Sequence, residues 1–288
     1  MQDFEGKTAV ITGGASGIGL AMAELFAEQG MQIVLADIEE ARLTAAVASL
    51  TARGAACIGQ VTDVADPAQV NTLAAAAQSA FGGVHIACNN AGVFTGGLLW
   101  EESPADYQWL VDVNVTGVMN GIRTFVPMMI EQDCPCHIVN TASMAALTAM
   151  PYSGIYHLTK HAVLAVSESL FHELSFHAPQ VGVSVLCPEA INTGIAQAER
   201  NRPAQYNGKE QVVEHDARTL VMDALADTTA KGIGPEVMAR RVLEGIKTGR
   251  FYLLSNEEWW QSACVRLEDI REGRNPTFSP PISPSISQ

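Results

Sequence analysis

The chain has 288 residues, 48% of them apolar and 17% charged, which is enough apolar material for a buried core and excludes disorder of the whole chain. Seventeen basic against 31 acidic side chains leave a net charge of -14. Such a surface repels phosphate backbones and anionic headgroups, so neither nucleic acid nor a membrane is expected as a partner.

In chain order, short apolar runs alternate with longer Ala-rich helical stretches. Strands are expected at residues 7–11, 32–36, 57–61, 85–89, 137–141, 181–186 and 251–254. Helices are expected at 17–28, 39–53, 67–81, 109–113, 118–131, 152–176, 236–247 and 257–271, with Pro67 placed as a first-turn residue. This alternation predicts an α/β protein, a doubly wound parallel sheet of about seven strands with helices on both faces. Residues 1–274 read as a single domain. Within it, 189–234 has weak periodicity and polar clusters and is expected to form a lid, because long connections of this kind are usually functional. The Pro/Ser-rich residues 275–288 read as a tail, extended and mobile or ordered against a neighbouring subunit. The acidic start Met1-Gln2-Asp3-Phe4-Glu5 and the absence of an apolar run near ~18 residues predict a soluble cytoplasmic protein. Cys134-Pro135-Cys136 lacks the spacer and the second ligand pair of a zinc site. His157 and His161 have metal-ligand spacing but no evident third ligand, so no metal is expected.

Two constellations carry chemistry. Thr12-Gly13-Gly14-Ala15-Ser16-Gly17-Ile18-Gly19 joins the first strand to the first helix, where glycines admit a pyrophosphate close to the backbone and the helix N-terminus attracts its charge. Asp37, at the end of the second strand, can accept hydrogen bonds from both ribose hydroxyls of an adenosine. A 2′-phosphate at ~5 Å from that carboxylate would be repelled by roughly 3 kcal/mol per charge at an effective dielectric of ~20, so NAD is expected over NADP. Arg42 is expected to face solvent. The second constellation is Tyr156 and Lys160, one helical turn apart on one face, following Ser143 just beyond a strand end. A phenol ionises near pH ~10, and a nearby ammonium with an oxidised nicotinamide favours the phenolate, making a general base.

With these residues in view, the sequence resembles the short-chain dehydrogenase/reductase family over about residues 5 to 255. The matching elements are the Thr12 to Gly19 loop, Asp37, Asp63-Val64, Asn89-Asn90-Ala91-Gly92, Asn114, Ser143, Tyr156 with Lys160, and Thr193 after Pro188. The resemblance implies a Rossmann-like fold with NAD held by Gly13, Ser16, Gly17, Ile18, Gly19, Asp37, Asp63, Val64, Asn90, Gly92, Tyr156, Lys160, Pro188, Ile191 and Thr193. It further implies that Tyr156 is the acid/base, Ser143 binds the reacting oxygen, Lys160 holds the nicotinamide ribose and Asn114 anchors a relay water. Where the family usually has Pro-Gly, this chain has Pro188-Glu189, which either places a carboxylate near the substrate or points it to solvent. A homodimer or homotetramer is implied through the helices at 118–131 and 152–176.

The expected activity is an NAD-dependent alcohol dehydrogenase or ketoreductase; the alternatives are a non-catalytic NAD-binding sensor or scaffold, and an epimerase or dehydratase with tightly bound NAD. Intact Ser143, Tyr156 and Lys160 oppose the former, and the longer glycine motif opposes the latter. The substrate pocket is expected from Val93, Phe94, Ser143, Met144, Leu147, Met150, Tyr152, Glu189, Ile195 and Tyr206. That lining suits a bulky apolar or aromatic secondary alcohol, and Arg200 and Arg202 are expected to stay solvated. Residues 191–206 also resemble, locally, the branch that oxidises benzylic alcohols of lignin-derived aryl ethers.

Overall fold

A computed structural model of the chain describes residues 1–206, 216–254 and 257–279. Seven strands, β1 (Thr8–Thr12), β2 (Gln32–Asp37), β3 (Cys57–Val61), β4 (Ile86–Asn89), β5 (Cys136–Thr141), β6 (Val181–Cys187) and β7 (Tyr252–Leu254), form one sheet in the order β3-β2-β1-β4-β5-β6-β7. All neighbours pair parallel, with Val10 opposite Val34 of β2 and Ala87 of β4. The helices are α1 (Gly17–Glu28), α2 (Glu40–Ala52), α3 (Pro67–Phe81), α4 (Pro104–Val111), α5 (Gly117–Glu131), α6 (Gly154–His177), α7 (Asp216–Ala230), α8 (Pro235–Thr248) and α9 (Glu257–Glu272).

The strands are apolar on both faces because both faces are covered. Ile11, Ile33 and Leu35 pack against Met22 and Phe26 of α1, Leu43 of α2 and Val242 of α8. Their neighbours one residue away, Val10, Val34 and Ala36, point to the opposite layer of Leu73 (α3), Phe125 (α5) and Leu170 (α6). Local chemistry sets the helix ends. Asp66 accepts from the Ala68 N–H at 2.8 Å ahead of Pro67, and α3 stops at Gly82 with φ +80°. The strand order reverses between β2 and β4, on either side of β1, and opens a cleft at the carboxyl ends of the strands.

Three expectations are corrected. The helix expected from residue 109 starts at Pro104, nucleated by a capping box in which Ser103 Oγ accepts from Asp106 N–H at 3.1 Å and the Asp106 carboxylate accepts from Ser103 N–H. It continues through a π-helical turn, Asp112–Thr116, into α5, so the two expected stretches form one run with a bulge. Among its described residues, the segment expected as a lid contains two 3₁₀ segments, Gly194–Asn201 and Ala204–Tyr206, and the unexpected helix α7. A bridge between Ile191 and Ile233 ties its two ends together. Residues 275–279 lie back on α9, where Asp269 accepts from Thr277 N–H at 2.8 Å and from Arg274 Nε at 3.0 Å; the rest of the expected tail, 280–288, lies outside the described residues. Among the described residues no helix is long and apolar enough to cross a membrane, and no cluster of His, Cys, Asp or Glu could hold a metal ion. Cys134 and Cys136 stand as thiols with their Sγ atoms 3.9 Å apart.

Candidate active site

The cleft at the strand ends encloses about 570 Å³. Its floor is assembled by Asn90, whose Nδ2 donates to Thr12 O at 3.0 Å while its Oδ1 accepts from Thr141 Oγ1 at 3.2 Å, so one amide ties together the ends of β1, β4 and β5. The glycines of the first loop serve close approach. A Cβ on Gly13 (φ +61°) would lie 2.9 Å from Ala91 Cα, and one on Gly19 would lie 2.1 Å from Gly13 O. Ser16, the N-cap of α1, makes no side-chain capping bond and the first turn carries no acidic residue, which leaves its N–H groups to the cleft. Asp37 accepts from Ala15 N–H at 3.1 Å and Glu39 N–H at 3.0 Å, fixing the carboxylate at the cleft edge. Arg42 is half-exposed and pairs with Glu39 at 3.1 Å.

At the other end, Ser143 caps a 3₁₀ turn, its Oγ accepting from Ala145 N–H at 3.1 Å and donating to Pro188 O at 3.4 Å. Lys160 Nζ donates to Thr141 O at 3.0 Å and lies 5.6 Å from the centre of the Tyr156 ring. Gly92 lies beside that ammonium, where a Cβ would come 3.5 Å from Nζ, an ordinary van der Waals contact. Desolvation pushes the Tyr156 hydroxyl up to about 12, against a lowering hydrogen bond from Ser143, and brings Lys160 down to about 8.

Of the residues expected to hold a cofactor, Gly13, Ser16, Gly17, Ile18, Asp37, Asp63, Val64, Asn90, Gly92, Tyr156, Lys160, Pro188, Ile191 and Thr193 all line this cleft. Gly19 does not; the Gly13 carbonyl packs where its side chain would be. Asn114 is also off the cleft wall and fully buried. Its Oδ1 accepts from Val93 N–H at 2.8 Å, and its Nδ2 donates to Val93 O at 2.9 Å and to Thr159 Oγ1 at 3.2 Å, so the side chain joins the loop after β4 to α6.

The expected substrate residues divide. Ser143, Phe94, Met150, Glu189 and Ile195 line the cleft, with Glu189 partly buried. Met144 is fully buried against Val163 and Val185, because the 3₁₀ turn aims it into the core. Tyr152 adopts φ +62° and turns outward, its carbonyl accepting from Gly97 N–H at 2.8 Å. Tyr206 packs with Trp109 and donates to Asp112 Oδ2 at 2.9 Å. In their place stand Trp109 and Val113, together with Val221, Ala224, Leu225 and Thr228 of α7. The interrupted polar sequence around α7 concealed that helix; Trp109 could have been found from the Ser103 capping signature, which sets the phase of α4.

Of the two arginines expected to stay solvated, Arg200 remains exposed while Arg202 is largely withdrawn from solvent. Arg200 reaches Glu39 beside Asp37 at the cleft edge, Nη2 to Oε1 at 2.9 Å, and also donates to Gly194 O and Gln197 O. Burial pushes the Glu39 carboxyl up, but the hydrogen bond from Arg200, with further help from Asn201 and Arg42, holds it below the usual range. Arg202 stacks on Trp109 at 4.3 Å and pairs with the buried Asp106 at 2.6 Å, which Arg218 of α7 also reaches at 3.2 Å.

A parallel α/β sheet with a glycine-lined helix N-terminus on one side of β1 and a serine, tyrosine and lysine on the other defines a nucleotide-cofactor oxidoreductase architecture. The family model of the short chain dehydrogenases matches residues 7–204. The chain is 33% identical over 282 residues to C alpha-dehydrogenase of Sphingobium sp. (strain NBRC 103272 / SYK-6), covering 98% of this chain and 90% of that protein. It is 36% identical over 265 residues to 1-deoxy-11-beta-hydroxypentalenate dehydrogenase of Streptomyces exfoliatus, covering 91% and 86%. A short chain dehydrogenase/reductase from Burkholderia phymatum, solved in complex with NAD, superposes with a TM-score of 0.95 at 44% identity, covering 98% of this chain and all of that one. The chain belongs to the short chain dehydrogenase family and is an oxidoreductase of that family.

Proposed function

We propose that the protein interconverts a bulky apolar or aromatic secondary alcohol and its ketone with NAD. The observation that carries this reading is the single cleft that has Asp37 and the glycine loop at one end and Ser143, Tyr156 and Lys160 at the other. The residues fit the cofactor. Gly13 and Gly17 have positive φ, the first-turn N–H groups of α1 suit a pyrophosphate, and Asp37 suits a ribose diol. Bound there, nicotinamide dinucleotide supplies the hydride acceptor and, when oxidised, a positive charge. Ser143 Oγ donates to the substrate oxygen and positions it beside the Tyr156 hydroxyl. Tyr156 takes the alcohol proton as a phenolate, or returns it in the reductive direction. Lys160, anchored on Thr141 O, holds the ribose and contributes its charge at the tyrosine. Val93, Phe94, Trp109, Met150, Ile195 and the α7 side chains exclude water and favour an apolar substituent. The relationship to C alpha-dehydrogenase and the local likeness of residues 191–206 to benzylic-alcohol dehydrogenases support an aryl alcohol.

The test is a kinetic panel of 1-arylethanols, short aliphatic alcohols, sugars and hydroxy acids with NAD and NADP at low salt. The 1-arylethanols give the highest kcat/KM, and NAD exceeds NADP by at least about tenfold, the order expected from charge repulsion at Asp37. Highest efficiency with sugars or hydroxy acids overturns the apolar pocket, and equal use of the two cofactors overturns the role of Asp37.

A further inference from the structure

Tyr156 and Lys160 share their face of α6 with two other side chains that border the cleft, Ser153 and His157, at the i, i+3, i+4, i+7 spacing of a single helical stripe. His157 is 8% exposed, and its Nδ1 lies 2.9 Å from Ser153 O and 3.3 Å from Ser153 Oγ. A carbonyl can only accept, so Nδ1 carries the proton and Nε2 presents a lone pair. Burial holds the ring below the usual histidine range, against an opposing hydrogen bond from Ser153, so it is neutral at pH 7. Among the described residues Nε2 has no hydrogen-bond partner. Among the described residues the fully buried side-chain atoms without partners include Thr95 Oγ1, Glu102 Oε2 and Trp109 Nε1 but not His157 Nε2. His157 keeps this small exposure and lines the cleft. His161, one turn on, satisfies its Nδ1 with His157 O at 2.9 Å and does not border the cleft. This end of the cleft is otherwise mostly apolar, with Val93, Phe94, Met150 and Ile195, so a polar group brought in by a ligand meets an acceptor at His157.

We infer that His157 is a specificity-determining residue, its Nε2 accepting a hydrogen bond from a second hydroxyl group on the alcohol substrate. The inference rests on the proposed function, since it takes the reacting hydroxyl to lie between Ser143 and Tyr156, one residue away along α6. It narrows the substrate class to aryl alcohols with a further hydrogen-bond donor on the ring or side chain. An aryl ether at the same position offers His157 no proton.

The experiment compares 1-phenylethanol, its 3- and 4-hydroxyphenyl analogues and its 4-methoxyphenyl analogue, oxidised with NAD by the wild type, His157→Leu and His157→Gln. In parallel, calorimetry measures binding of the corresponding aryl ketones to the enzyme with NAD present. In the wild type at least one hydroxyphenyl substrate exceeds the methoxy compound in kcat/KM by about tenfold, the order of one neutral hydrogen bond, and the matching ketone binds more tightly by a similar factor. His157→Leu collapses both ratios towards one, and His157→Gln, which keeps an acceptor, restores part of them. A wild type that does not distinguish hydroxy from methoxy, or a preference that survives in His157→Leu, overturns the inference while leaving the proposed function standing. Absence of turnover and of ketone binding across the whole set overturns both.

Discussion

At Tyr156 two influences of opposite sign meet, desolvation that raises the hydroxyl to about 12 and a hydrogen bond from Ser143 that lowers it. A phenol in that state is a poor base by itself, so proton transfer depends on charge supplied at the moment of reaction. Tyr156→Phe should lower kcat by a factor on the order of a hundred to ten thousand, the usual worth of a general acid/base. Its NAD affinity, measured by fluorescence titration, should change only a few-fold. Lys160→Ala should weaken both, because one ammonium is assigned to the ribose and to the tyrosine. If Tyr156→Phe kept a tenth of the activity, another group would have to carry the proton. Asp37, Ser143, Tyr156 and Lys160 were all legible in the sequence, because each sits at a fixed offset from a strand end or along a helix. Met144, Tyr152 and Tyr206 were misread because sequence offset does not reveal on which side of a turn a side chain emerges.

At the scale of elements, the β5–β6 pair contains a buried titratable group. His137 lies opposite Gly182 in the register, and a Cβ on that glycine would come within 2.5 Å of the His137 ring. Ser184 Oγ donates to Arg250 O at 2.7 Å, so His137 Nε2, 2.8 Å away, donates to Ser184. Burial lowers His137 to about 3 from an ordinary value of 6.5. With the folded value below the unfolded one, the unfolded chain takes up a proton first as the pH falls, so stability is lost from pH 6.5 down towards 3. At pH 5 the loss from this group is about 2 kcal/mol, from ~1.4 kcal/mol per unit. Urea denaturation at pH 7 and pH 5 should show a decline in the wild type that is steeper by that amount than in His137→Gln. Equal declines would remove His137 from the account of acid sensitivity. The register that brings Gly182 beside His137 is a strand pairing, and the strand sequences do not state their partners.

Across the whole molecule, α5 and α6 leave large apolar side chains in water: Met119, Ile130, Leu158 and Phe176, the last 81% exposed. An unpaired phenylalanine of this exposure gains roughly 2 kcal/mol on burial, in keeping with the homo-oligomer proposed through these two helices. Light scattering behind size exclusion should give a dimer or tetramer, and Phe176→Glu with Leu158→Glu should shift the mass to that of the 30.7 kDa chain. A monomeric wild type would overturn the assembly.

The sequence by itself determined the alternation of strands and helices, the glycine loop, the carboxylate at the end of β2 and the Ser, Tyr and Lys set. These follow from period-2 and 3.6-residue patterns and from backbone rules local to a few residues. Tertiary structure alone decided the roof of the pocket and the state of the lid arginines. Helix α7 has little local signal and lines the cleft through Val221, Ala224, Leu225 and Thr228. Arg202 looks like a solvated charge until Asp106, distant in sequence, is brought within 3 Å of it, whereas Arg200 stays exposed while pairing with the equally distant Glu39. The tyrosine's raised pKa belongs to the same category, because desolvation is a property of everything packed around a group and not of its neighbours in the chain.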